Sequence, residues 1–181
     1  IPIQDNEVLS FNDKILIKDV NFSYNSSRNT LKNINLTINS KSIVGFIGPT
    51  GSGKTTIIDI ILGLLEPQKG TLEVDGKIIS SKNIRAWQKS IGYVPQNIYL
   101  IDDTIAANIA YGIKAEEIDM KAIEKASKIA NLDSFVLNEL PKQYETLVGE
   151  GGVRLSGGQK QRIGIARALY HNPQILIFDE A

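Results

Sequence analysis

Gly48-Pro-Thr-Gly-Ser-Gly-Lys-Thr55 satisfies the pattern G-x-x-x-x-G-K-[ST] in full. Glycines let the backbone turn so that successive N–H groups converge on phosphate oxygens. A helix starting near Gly53 adds the positive end of its dipole. Lys54 brings a mobile charge to β- and γ-phosphates. Thr55 brings a hydroxyl for Mg²⁺, a cation that prefers oxygen ligands. Chance produces this pattern in on the order of 1% of chains this long. Here it also lies between an apolar run and a helix-like segment, as the chemistry requires.

Two other places carry chemistry. Ile175-Leu-Ile-Phe178 delivers Asp179 and Glu180 to the carboxyl end of a buried strand, where open α/β sheets bind ligands. Asp179 suits Mg²⁺ binding, usually through water. Glu180 suits activation of an attacking water. Alone, the pair is equally an ordinary strand end with two solvated acids. The third place is Leu155-Ser156-Gly157-Gly158-Gln159. Ser156 and Gly157 read as a helix N-cap. That role is compatible with phosphate binding, because the first N–H groups of a helix lack internal partners.

These residues need elements to hold them. Residues 15–24 and 31–38 alternate apolar and polar side chains, so both read as half-buried strands joined by a polar turn at 25–30. Ser42-Ile-Val-Gly-Phe-Ile47 is short, apolar and β-branched, and is expected to be a buried strand. Lys54 to Leu65 is apolar almost all round and predicts a buried helix. Residues 70–76 form a strand ending in an Asp-Gly turn, and 91–95 another strand. From Asp103 to about Tyr170 the pattern is helical. Apolar residues at 118, 122, 126 and 129 predict one helix face, with Glu117/Lys121 and Glu124/Lys128 spaced i,i+4 outside. Residues 157–170 predict a second helix. His171, just beyond it, is structural, and Trp87 and Arg85 receive no chemistry.

The 181 residues have 20 Lys plus Arg against 20 Asp plus Glu. A domain that grips nucleic acid through phosphates is basic, and this one is neutral. There is no cysteine and one histidine, which removes disulfide frameworks and thiolate or multi-histidine metal sites. No stretch of about 20 apolar residues is present, so this chain does not itself span a membrane and is expected to be soluble. The only methionine is Met120 and the chain opens on Ile1, which suggests a piece of a longer parent.

Taken in order, the phosphate loop, Leu155–Gln159 and Asp179-Glu180 resemble the nucleotide-binding domain of ABC (ATP-binding cassette) transporters, from about residue 15 to 181. Tyr24 matches the family's adenine-stacking aromatic, with a strand-end core tyrosine as the plain alternative. Gln96, after Tyr93-Val-Pro95, matches the family's Q-loop; its plain alternative is an ordinary loop glutamine. Asp103–Ile109 and Thr146-Leu-Val-Gly149-Glu150 look like segments of exporter-type members.

The resemblance implies an α/β P-loop NTPase core with a mainly parallel sheet, an N-terminal antiparallel β subdomain and an inserted helical subdomain. It divides the chain into residues 1–96, 97–170 and 171–181. It implies an ATPase with ATP and Mg²⁺ as cofactors, powering a transporter through ATP-driven dimerisation. Glu180, Gln96 and Lys54 would be catalytic. Tyr24, Gly48, Thr50, Gly51, Ser52, Gly53, Lys54, Thr55 and Thr56 would hold one nucleotide. Ser156, Gly157, Gly158 and Gln159 would hold the nucleotide of a partner domain. Thr55, Gln96 and Asp179 would serve the metal. Partners would be a second nucleotide-binding domain, head to tail, and a transmembrane domain fused upstream, with no nucleic acid. The location would be the cytoplasmic face of the membrane. The family continues past Asp-Glu-Ala with a switch histidine and further core elements, so this chain reads as truncated, binding ATP but hydrolysing it poorly. The rival readings are a soluble ABC-type ATPase of DNA repair or translation, and a P-loop kinase of a small metabolite.

Overall fold

The computed structural model describes residues 9–24, 30–149, 152 and 155–179. The chain forms two compact units, residues 1–90 and 91–181.

In the first unit, β1 (Lys14–Phe22) pairs antiparallel with β2 (Leu31–Asn39) and, on its other edge, with β3 (Lys69–Val74). The alternating pattern of β1 places Ile15, Ile17, Val20 and Phe22 in the core. A two-residue turn, Asp75 and Gly76, both at positive φ, joins β3 to β4 (Lys77–Ile78). That is the hairpin an Asp-Gly pair favours. Asp75 also accepts backbone N–H bonds from Asn12, Asp13 and Lys14 at 2.6–3.0 Å, tying the entry of β1 to this turn. Burial raises its carboxyl pKa, but the three donors outweigh that and hold it below its usual value.

Helix α1 (Lys54–Ile61) buries Thr56, Ile57, Ile58, Ile60 and Ile61, in line with its apolar character. It is shorter than expected, ending before Gly63 at φ 68°. Trp87, in α2 (Ile84–Gln88), is fully buried, and its indole N–H donates to the Ile61 carbonyl at 2.7 Å. It therefore satisfies an acceptor that the end of α1 leaves open.

Residues 42–47 depart from expectation. They belong to no strand, and Ile43 and Ile47 are fully exposed. Their composition suits a strand covered on both faces, but no described strand pairs with them. A ladder partner, not composition, decides whether such a run is buried.

In the second unit, β5 (Ile91–Val94) pairs parallel and in register with β6 (Ile175–Phe178). These two strands are the parallel part of the sheet structure among the described residues. Between them in sequence lie α3 (Ile105–Ile109), α4 (Met120–Ile129), α5 (Asp133–Glu139) and α6 (Gly157–Leu169). They enclose a core that includes Leu100, Ile105, Ile109, Ile123, Leu132 and Ile163.

The face of α4 differs from the expected one. Residues 123, 126, 127 and 130 are buried, while Ile129 is exposed. Asp119 caps the helix by accepting from Lys121 and Ala122, so Glu117 lies outside it and faces Lys114 at 3.9 Å. The spacing 123, 126, 127, 130 keeps a helical period; 118, 122, 126, 129 shares only one position with it. No helix of the described residues is long and apolar enough to cross a membrane.

Candidate nucleotide site

The phosphate loop connects residues 42–47 to α1. Gly51 and Gly53 take φ of 79° and 92°, which only glycine adopts without strain. Gly53 has a second constraint: a Cβ there would press on Leu31 Cδ2 at 2.8 Å, so the loop sits directly against the start of β2. Lys54 folds back over the loop, its Nζ donating to the carbonyls of Gly48 at 2.7 Å and Pro49 at 3.1 Å. The Ser52 N–H closes the turn onto the Pro49 carbonyl at 3.2 Å. Gly48, Thr50, Gly51, Ser52 and Thr55 are exposed, and Gly53 and Lys54 half-buried. The cradle is thus formed and open, with its cation resting on loop carbonyls that an anion would replace.

Thr56 is different from the rest of the set. It is only 4% exposed. Its hydroxyl lies 3.3 Å from that of Tyr24. Tyr24 is 59% exposed, and Phe22 meets its ring edge-on at 5.0 Å. A strand-end tyrosine packed in the core would be covered; this one offers a face to solvent.

In the second unit, the parallel register of β5 and β6 brings their carboxyl ends side by side, with Val94 opposite Phe178. Asp179 follows Phe178 directly, and Gln96 follows Val94 after Pro95. The Asp179 N–H donates to the Val94 carbonyl at 3.0 Å, and the Tyr93 hydroxyl donates to Asp179 Oδ2 at 3.3 Å. Of the residues expected to serve a metal, Thr55 in the first unit carries a hydroxyl, and Gln96 and Asp179 in the second carry an amide and a carboxylate oxygen. No group of three or more His, Cys, Asp or Glu side chains suited to a metal occurs among the described residues. Oxygen donors of these kinds are the ones Mg²⁺ prefers, alongside phosphates and water. Glu180 and Glu150 lie outside the described residues.

At the head of α6 the sequence signature forms a complete capping box. Ser156 Oγ accepts from the Gln159 N–H at 3.2 Å, and Gln159 Oε1 accepts from the Ser156 N–H at 2.8 Å. Gly157 and Gly158 are exposed, and a Cβ at either would meet nothing within 4 Å. Among the described residues, no internal packing requires these glycines. What they do is leave the first turn of the helix bare to a close external approach.

Sequence reading assigned nothing to Asn108 or Arg167. Asn108 is fully buried, its amide bonding Ile101 N–H, Ile101 C=O and Thr104 C=O, each at 3.0 Å. Arg167, on α6, donates to the carbonyls of Asn108 at 2.7 Å and Tyr99 at 3.0 Å and lies over the Tyr111 ring at 4.9 Å. This ties α6 to residues 99–111. Such partners are remote in sequence, and an Arg in a helix gives no signal of them. The two exporter-like segments also meet: Thr104 and Leu147 form an antiparallel bridge, and Ile105 N–H bonds the Thr146 carbonyl at 3.0 Å.

Fold and site together define a phosphate-loop nucleotide-binding domain. A family model described as ABC transporter matches residues 31–181, and the chain belongs to that family. It is 45% identical over 168 residues to an ATP-dependent lipid A-core flippase of Saccharophagus degradans, covering 93% of this chain and 28% of that protein. It is 44% identical over 169 residues to ATP-binding cassette sub-family B member 5 of Mus musculus, covering 92% of this chain and 13% of that protein. The structure of a bacterial Atm1-family ABC exporter with ATP bound matches with a TM-score of 0.86 at 35% identity, over 98% of this chain and 31% of that one. The chain spans less than a third of each of these relatives.

Proposed function

We propose that this chain is the ATP-binding and ATP-hydrolysing cassette of an exporter-type membrane transporter. The observation that carries the reading is the formed phosphate cradle, with Lys54 held over Gly48 and Pro49 at the head of α1. The loop N–H groups and Lys54 bind the triphosphate, and Tyr24 stacks on the adenine. Bound Mg²⁺ neutralises charge on the β- and γ-phosphates. Thr55, Gln96 and Asp179 hold that cation, and Glu180 takes a proton from the attacking water. Positioning and charge neutralisation do most of the catalytic work, as phosphoryl transfer requires.

Ser156 and Gly158 serve a second nucleotide, bound by another cassette facing this one head to tail. The bare first turn of α6 supports that role. The γ-phosphate then biases the pair towards closure, and a transmembrane partner takes up the motion. The cassette works at the cytoplasmic face of the membrane, without nucleic acid; the even charge balance supports the last point.

Titration calorimetry with Mg-ATP tests the reading. Lys54→Ala removes a charge-assisted contact to phosphate, of about 1.5–3 kcal/mol, so affinity falls about tenfold or more. Unchanged affinity in that variant would overturn the assignment.

A further inference from the structure

The parallel register sets Tyr93 of β5 opposite Ile177 of β6. The ladder runs one residue past β6, because the Asp179 N–H donates to the Val94 carbonyl at 3.0 Å. Asp179 lies two positions beyond Ile177, so its side chain leaves the ladder on the face that carries Tyr93. The Tyr93 hydroxyl reaches along that face and donates to Asp179 Oδ2 at 3.3 Å. Both side chains are half-buried. The backbone bond locates the Asp179 main chain, but a carboxyl group still turns about two side-chain torsions. The phenol acts on that remaining freedom. Its bond is long for an O–H donor, so it orients the carboxylate without clamping it.

We propose that Tyr93 is a positioning residue for Asp179: its hydroxyl holds Oδ2 towards the strand pair and leaves Oδ1 to serve the cation that accompanies the nucleotide. Ordering the carboxylate in advance removes freedom that a metal-bound nucleotide would have to arrest. Tyr93 acts through Asp179 and touches neither metal nor phosphate. The proposal rests on the reading above that gives Asp179 a cation.

The test compares affinities for ATP with Mg²⁺ and for ATP with the chelator EDTA, by calorimetry on the 181-residue chain. Tyr93→Phe keeps the ring and its packing on the sheet and deletes the hydroxyl. It is expected to weaken Mg-ATP about threefold to tenfold, the range of one lost hydrogen bond, with metal-free ATP unchanged. Asp179→Ala is expected to weaken Mg-ATP as well. Adding Tyr93→Phe to it costs nothing further, because the group that Tyr93 positions is gone. Equal weakening of both forms of ATP by Tyr93→Phe overturns the proposal by making the hydroxyl a prop of the fold. Unchanged Mg-ATP affinity in Tyr93→Phe, with Asp179→Ala weakened, overturns the role of Tyr93 alone. Unchanged Mg-ATP affinity in Asp179→Ala removes the cation reading itself, and the proposal with it.

Discussion

Tyr144 shows how one residue couples stability to pH. It is 5% exposed, and its hydroxyl donates to Asp133 Oδ1 at 2.8 Å. Burial first, then the hydrogen bond to Asp133 and the Asp133 and Glu124 charges, push the phenol up to about 12 from an ordinary value of 10, against the opposing influence of the neighbouring Ser127 hydroxyl. The folded state therefore holds this proton more tightly than the unfolded one. The resulting stabilisation is complete below pH 10 and disappears as pH rises through about 12. Chemical denaturation at stepped pH should show that alkaline loss, and Tyr144→Phe should flatten it while costing about 1 kcal/mol at neutral pH for the lost bond. An equally steep alkaline limb in the variant would assign the loss to other groups.

At the scale of elements, the serine that caps α6 is also the one the proposed function gives to a phosphate. Ser156 Oγ accepts the Gln159 N–H, which leaves its own proton to give to a phosphate oxygen. Substitutions separate the jobs. Ser156→Ala loses both, with about 1 kcal/mol of helix stability. Ser156→Asp keeps the cap and favours the helix dipole, but sets a carboxylate against an incoming anion. Thermal unfolding of Ser156→Asp should match the parent, while ATP-dependent pairing, followed by sedimentation, should vanish. Retained pairing would confine Ser156 to capping. What the sequence makes legible follows the same division. The phosphate loop and the capping box are contiguous, so their chemistry is written in a few neighbouring letters. The buried face of α4 is not, because it depends on where Asp119 starts the helix. Trp87 and Arg167 find their partners 26 and 59 positions away, with no local trace. Tyr24 lies between: the family resemblance marks it as an adenine platform, but the contact of its hydroxyl with Thr56 is visible only in the fold.

At the scale of the whole molecule, the run 42–47, with Ile43 and Ile47 fully exposed, is expected to promote self-association. It is apolar, β-branched, uncharged and free of proline, the composition of a segment that pairs with other chains when left uncovered. Sedimentation velocity over a concentration series should show self-association, weakened by replacing Ile43 and Ile47 together with serine. Association unchanged in that variant would place the sticky surface elsewhere. The parallel pair β5–β6 has a different consequence, one of timing. Lys54 and the Gly48 carbonyl it grips are 6 positions apart, whereas Tyr93 and Asp179 are 86 apart. Short loops close in tens of nanoseconds, but a contact across so much chain must wait for the helices between to organise. The fold is therefore expected to acquire these features in sequence: the phosphate loop early, the contacts of Asp179 only once β6 has joined β5.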